Sequence, residues 1–240
     1  MVSIMPESQP TASTQSALYI PAAIVIAGAI IGGGIFFGLS GKSADAPLGD
    51  GAPNVAVNIK DVKTDGEPYV GKSNAPLTMA YWSDYQCPFC KQFETTVLPT
   101  LMEKYVNTGK LKIVFKDYAF LGPDSTTAAL YKHAVWELYP DKFFEWNETM
   151  YSAQDEEHGG FGDEASVVKL SGTISGIDAN KLKAQVAMKK EVYQKAIDAS
   201  QQEGAKFGIG GTPGFIIGTQ SIDGAQALSS FTTAIDSQLK

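Results

Sequence analysis

The segment Leu77-Thr78-Met79-Ala80-Tyr81-Trp82, followed by Ser83-Asp84-Tyr85-Gln86 and then Cys87-Pro88-Phe89-Cys90, decides how this chain is read. Leu77 to Trp82 comes after the turn-like Lys72-Ser73-Asn74-Ala75-Pro76 and is rich in residues that suit a strand. Beyond Cys90, the residues Phe93, Val97, Leu101, Met102 and Tyr105 recur at helical spacing, so the cysteines stand where a strand becomes a helix. Pro88 fits the first helical position, where its missing N–H is no loss and its fixed φ is already helical. Cys87 is therefore expected at the helix N-terminus and Cys90 inside the first turn.

That placement sets the chemistry. Unpaired N–H groups and the positive end of the helix dipole favour a thiolate at Cys87, and the thiolate is the species that attacks a disulfide or leaves one. Cys87 is expected to be the exposed nucleophile, with Cys90, three residues on, resolving the mixed disulfide. A passive staple closing so short a loop would stabilise little. The whole chain has two cysteines and two histidines, which cannot supply a four-ligand structural zinc site with ordinary spacing, and no metal is expected.

Working outward, Lys110 to Lys116 reads as a second strand. A long helical region follows, with segments over 126–139, stopped by Pro140, then 142–153, about 165–171 and 180–203, the last with Asp178 as its N-cap. Phe215 to Ile217 opens a turn-rich hairpin, and a short helix over 227–239 closes the chain. Before the hairpin stands Gly208-Ile209-Gly210-Gly211-Thr212-Pro213-Gly214, where glycines crowd a proline that cannot sit inside a central strand, so the loop must make a special turn.

The N-terminal part is different in kind. Residues 17–39 run 23 positions without a charge, enough to span roughly 35 Å as a helix and so cross a hydrocarbon core of about 30 Å. A cleaved signal peptide has a shorter apolar region behind a basic start, and residues 1–16 hold neither Lys nor Arg. The expectation is a short segment 1–16, a single transmembrane anchor 17–39, a Gly/Ala/Pro/Ser/Asp tether 40–54 and one domain over 55–240. Lys42, the nearest cation, favours the opposite orientation, but large C-terminal domains translocate largely regardless of charge, and a cysteine redox pair suits the outside. A net charge of −7, with lysine as the only basic residue among the 19 of Lys and Arg, excludes a nucleic-acid binder.

Pro68-Tyr69-Val70-Gly71, Asn74-Ala75-Pro76, the run from Ser83 to Cys90 and Gly211-Thr212-Pro213-Gly214-Phe215 together resemble the DsbA-like thiol:disulfide oxidoreductases of thioredoxin fold, in particular their membrane-anchored branch. The resemblance covers about Val55 to the C-terminus. It implies an α/β thioredoxin fold carrying a helical insertion over about 123–203. It also implies attack by Cys87, resolution by Cys90, and a cis-proline at Pro213 that sits beside the disulfide while Thr212 offers its backbone to substrate. Pro88 and Phe89, between the cysteines, are expected to tune the redox potential. The best-known oxidising members have His where this chain has Phe89, and an apolar ring cannot donate that hydrogen bond.

The function expected on these grounds is disulfide exchange with secreted or surface proteins, most simply as an oxidase, without a cofactor because the cysteines carry the electrons. The resemblance further implies a membrane quinone-linked reoxidising partner of the DsbB or vitamin K epoxide reductase type. The rival readings are a disulfide reductase or isomerase, and a redox-inert tethered chaperone-like binding domain. Among other residues, Asp84 reads as a strand-end carboxylate bonding local N–H groups in preference to a proton acceptor. Glu94 and Lys91 read as solvated. His133 and His158 read as no one's ligands, and Trp82, Trp136, Phe143, Phe144 and Trp146 as core.

Overall fold

The computed structural model describes residues 56–157 and 159–239. Segments 1–16, 17–39 and 40–54, with the expected anchor and tether, lie outside the described residues, as does His158. Among the described residues no helix is long and apolar enough to cross a membrane.

Five strands form one sheet in the order β1-β3-β2-β4-β5. β2 (Leu77–Ser83) lies at the centre and is buried along nearly its whole length, so it reads as a continuous apolar run where a half-exposed strand would alternate. β3 (Leu111–Asp117) pairs with it in parallel, Leu77 opposite Leu111 and Ser83 opposite Asp117. A parallel pair needs a crossover, which α1 (Pro88–Thr96), the short α2 (Leu98–Leu101) and a wide π turn over Met102–Val106 provide. On the other side of β2, β4 (Gly214–Ile217) runs antiparallel, and β5 (Gln220–Asp223) follows it through a hairpin. β1 (Tyr69–Val70) caps the outer edge of β3, Tyr69 opposite Val114.

The insertion comprises α3 (Pro123–Leu138), α4 (Phe143–Ala153), α5 (Glu164–Ser171) and α6 (Ala179–Lys206), and α7 (Leu228–Gln238) ends the described chain. Asp178 caps α6 as expected, accepting from the backbone N–H groups of Asn180 and Lys181. Two boundaries differ from expectation. α3 starts at Pro123 instead of residue 126, because Gly122 at φ +116° delivers the chain to a proline already set for the first helical turn. The crossover, expected as one helix, breaks at Val97, since Pro99 has no N–H to continue the ladder of the first helix and suits the first turn of a new one.

Strand alternation divides the core. Met79 and Tyr81 point into the larger cluster, where the rings of Tyr81, Phe93, Phe215 and Phe231 lie 4.6–5.2 Å apart between centroids. Ala80 and Trp82 point the other way, into a small cluster with Val57, Val62, Ile209 and Ile216. Trp82, Phe143 and Trp146 are buried as expected, while Trp136 and Phe144 pack half-exposed against the larger cluster. Phe93 ties α1 to β4 and α7, and its truncation to alanine would cost about 3–5 kcal/mol.

Candidate active site

Cys87 is the N-cap of α1, in extended conformation, with Pro88 at the first helical position. Its carbonyl accepts from the N–H groups of Cys90 (3.1 Å) and Lys91 (3.2 Å), which turns the chain into the helix and sets Cys90 below Cys87. Both cysteines are free thiols. The cis Thr212–Pro213 bond lies in the loop that leads into β4, and the Cys87 thiol donates to the Thr212 carbonyl at 3.3 Å. The sequence thus placed all four residues together, but the expectation of an exposed Cys87 needs correction. Cys87 is 4 % exposed, because Thr212 lies against its sulfur, while Cys90 is completely buried. What reaches solvent between them is Pro88 and Phe89, the latter 61 % exposed.

The thiols are driven in opposite directions. A hydrogen bond from the Cys90 thiol is the largest influence on Cys87. With help from the Thr212 hydroxyl and the N–H groups of Cys90 and Phe89, it outweighs the burial that pushes the other way and holds Cys87 at about 6. The Thr212 hydroxyl is buried with no hydrogen-bond partner, free to donate to a thiolate. Cys90 is pushed well above the ordinary thiol range, by burial first and then by the Cys87 thiolate it serves.

Asp84 behaves as a structural carboxylate. It accepts from the N–H groups of Gln86 (2.8 Å), Phe120 (2.9 Å) and Leu121 (3.1 Å), tying the strand end to the 118–122 loop, although burial still raises its pKa. The insertion reaches the site through Gln154, whose side-chain amide donates to the carbonyls of Tyr85 and Cys87. Lys91 is not simply solvated, since its ammonium donates to the Gln154 carbonyl.

Glu94 is not solvated at all. It is 5 % exposed, Oε2 accepts from Asn147 at 3.0 Å, and Oε1 is buried without a partner. Burial pushes its pKa up to about 8. The signal was present in the sequence: Cys90, Phe93, Glu94 and Val97 form one helical stripe, and a stripe that buries its apolar members buries the acid between them. Nothing comparable announced Gln154 or Asn147, which come from the insertion. Among the described residues no group of three or more His, Cys, Asp or Glu is placed to hold a metal.

A parallel β-α-β unit extended by an antiparallel hairpin, with a CxxC opening its first helix and a proline loop against the first sulfur, defines a thioredoxin-fold redox domain. A family model described as thioredoxin matches residues 63–237. Disulfide bond formation protein D of Bacillus subtilis is 26 % identical over 175 residues, covering 73 % of this chain and 78 % of the relative. The crystal structure of oxidised BdbD from Bacillus subtilis superposes with a TM-score of 0.68 at 26 % identity, over 78 % of this chain and 99 % of that one. The thiol-disulfide exchange protein α-DsbA2 of Wolbachia pipientis superposes with a TM-score of 0.63 at 28 % identity, over 75 % and 89 %. The chain therefore belongs to the thioredoxin family and, within it, to the DsbA-like thiol:disulfide oxidoreductases.

Proposed function

We propose that this protein is a membrane-tethered disulfide oxidase, held by residues 17–39, whose domain works outside the cytoplasm on secreted or surface proteins. A client thiolate attacks the Cys87 sulfur of the Cys87–Cys90 disulfide. The S–S bond opens, and Cys90 leaves with the electron pair and takes up a proton. A second client thiolate then attacks its own sulfur in the mixed disulfide, so that the client gains a disulfide and Cys87 departs as a thiolate. The observation that carries this direction is the depressed Cys87 thiol, at about 6: a stabilised thiolate favours the reduced pair and makes the disulfide form an oxidant. The Phe89 ring supplies no donor, so this stabilisation rests on the Cys90 thiol, Thr212 and the backbone N–H groups of Cys90 and Phe89.

In the mixed disulfide Cys87 no longer donates to Thr212, and the Thr212 carbonyl is released for an extended client chain, as an added strand pairs with a sheet edge. The exposed rings of Phe89 and Phe120 offer apolar contact to a client. A quinone-linked membrane partner of the DsbB or vitamin K epoxide reductase type would restore the disulfide.

Equilibration of the full chain with glutathione tests the direction. The expected potential lies closer to about −120 mV than to the value of about −270 mV found for thioredoxin. A value near thioredoxin's would turn the reading to a reductase or isomerase, and full transfer activity in Cys87→Ala would turn it to a redox-inert binding domain. Protease access to the domain from the cytoplasmic face would overturn the topology.

A further inference from the structure

The loop whose Thr212 carbonyl meets the Cys87 thiol also borders a cavity of about 370 Å³. Four of the seven residues lining it are glycines, Gly208, Gly210 and Gly211 from the loop and Gly224 from the end of the hairpin, so its walls are mostly backbone. A Cβ on Gly210 or Gly211 would meet nothing within 4 Å, which leaves room there for a long side chain from outside. Asp223, the last residue of β5, is the sole charged residue of the lining. It is exposed, and only its backbone carbonyl is engaged, by the Gln226 amide at 2.8 Å. Its carboxylate makes no hydrogen bond or ion pair among the described residues.

The fold fixes this acid beside the proline loop. Asp223 stands opposite Gly214 in the antiparallel register, and the next residue, Gly224, donates its N–H to the Pro213 carbonyl at 2.8 Å. Thr212 therefore serves two places at once, the sulfur of Cys87 and the rim of the cavity. A client chain held at the Thr212 carbonyl passes that rim. From Thr212 to Gly214 is two residues, about 7 Å along a strand, and β5 lies one strand spacing of about 4.8 Å to the side. A client side chain roughly two or three positions from the client cysteine covers that distance. The other acids near the site, Asp84 and Asp117, are consumed by contacts inside the fold, and Asp223 is left with its charge unspent.

We propose that Asp223 sets client preference, receiving in this glycine-walled cavity a lysine or arginine side chain that lies roughly two or three positions from the cysteine attacking Cys87. The glycines admit the aliphatic stem, and the carboxylate meets the cationic head. A client backbone lying across the rim displaces water, and the pair then attracts more strongly than one left on an open surface. An acidic client residue at the same position meets like charge and is turned away. Asp223 governs which chain is held and takes no part in the exchange of sulfurs.

This inference rests on the oxidoreductase reading, and the test separates the two. Opening of the Cys87–Cys90 disulfide in the oxidised full chain is followed with excess cysteine peptides, identical except for Lys, Gln or Glu at single positions near the cysteine. Rates are expressed per peptide thiolate, and the ratio of Lys to Glu peptide is read within each variant. Wild type is expected to favour the Lys peptide at its best position by roughly fivefold at low salt, and the ratio should fall towards one near about 1 M salt. Asp223→Asn should bring the ratio close to one, and Asp223→Lys should invert it. Gly211→Leu, which fills the cavity, should also erase the preference. Glu191→Gln removes the same charge from the exposed surface of α6 and should keep the wild-type ratio. A wild-type ratio in Asp223→Asn, or an equal loss in Glu191→Gln, overturns the proposal, and a wild-type ratio in Gly211→Leu overturns the cavity as the place of binding. Failure of every peptide to open the wild-type disulfide would instead remove the oxidoreductase reading beneath it.

Discussion

Asp117, at the end of β3, and Glu94, in the second turn of α1, are both buried acids in one domain, yet one is held at about 2 and the other at about 8. Burial pushes both upward. Around Asp117 it is overridden by the Lys132 ammonium at 2.6 Å and by His133 at 2.8 Å, while the Asp117 N–H finds Ser200 at 2.9 Å. Around Glu94 the influences that oppose burial come from neutral groups, the Asn147 amide at 3.0 Å and the Tyr81 hydroxyl. The contrast shows what separates a structural buried charge from an exchangeable proton: the cations brought to it, not the depth of burial. On the same strand Lys116 repeats the structural pattern with opposite sign, held by Glu67 at 2.7 Å and Glu203 at 3.0 Å.

The strongest way to break this comparison is to strip Asp117 of its cation. Lys132→Met should cost about 3–5 kcal/mol, because an uncompensated charge is left in the core, and lower Tm by about 10 °C. In wild type the folded carboxyl lies below its unfolded value near 4, so the Asp117 contribution is full above about pH 4 and is lost as pH falls through about 2. Denaturant unfolding of the variant should show that loss displaced to higher pH, and a variant as stable as wild type would mean the ion pair is dispensable.

Glu94→Gln should move stability the other way. A carboxyl raised to about 8 adds no penalty below its unfolded value, near 4.3, and a growing one as pH climbs to 8. The variant should match wild type in Tm at pH 4 and exceed it at pH 9. Equal melting curves at both pH values would place Glu94 among ordinary carboxylates.

The two thiols sharpen the same point at smaller scale. Alkylation of the reduced protein should label Cys87 with a midpoint near pH 6 and leave Cys90 unreacted at pH 7. At that pH Cys87 carries roughly thirtyfold more thiolate than an unperturbed cysteine. Equal labelling rates would refute the unequal roles. The smallest effect belongs to Thr212→Val, which removes one donor and should raise the Cys87 midpoint by less than Cys90→Ala, since the Cys90 thiol is the larger influence. The reverse order would shift the weight to the proline loop.

Most of the architecture was open to a sequence reading because it follows from local rules. Apolar runs marked β2 and β3, Asp178 marked the start of α6, and Pro88 fixed where α1 begins. β1 stayed hidden because two residues carry no period, and only their antiparallel register with β3 makes Tyr69 and Val70 a strand. The break at Val97 was missed because apolar spacing outvoted Pro99. Within the site, Cys87, Cys90, Thr212 and Pro213 were found by motif and order along the chain. Glu94 was misread because charge was allowed to outweigh position, and Gln154 and Asn147 were out of reach because their partners lie more than 50 positions away in sequence.

Gln154 has a consequence for the order in which this molecule becomes competent. Its amide fastens the carbonyls of Tyr85 and Cys87, and Lys91 reaches back to its own carbonyl, so the turn that shapes the cysteine pair is completed by the end of α4. A nascent chain holding only the β2-α1-β3 crossover has both sulfurs but an unfinished turn. That turn is finished late, after the 37 residues from Tyr118 to Gln154 have been made and docked, which leaves the cysteine pair incomplete until a fold surrounds it.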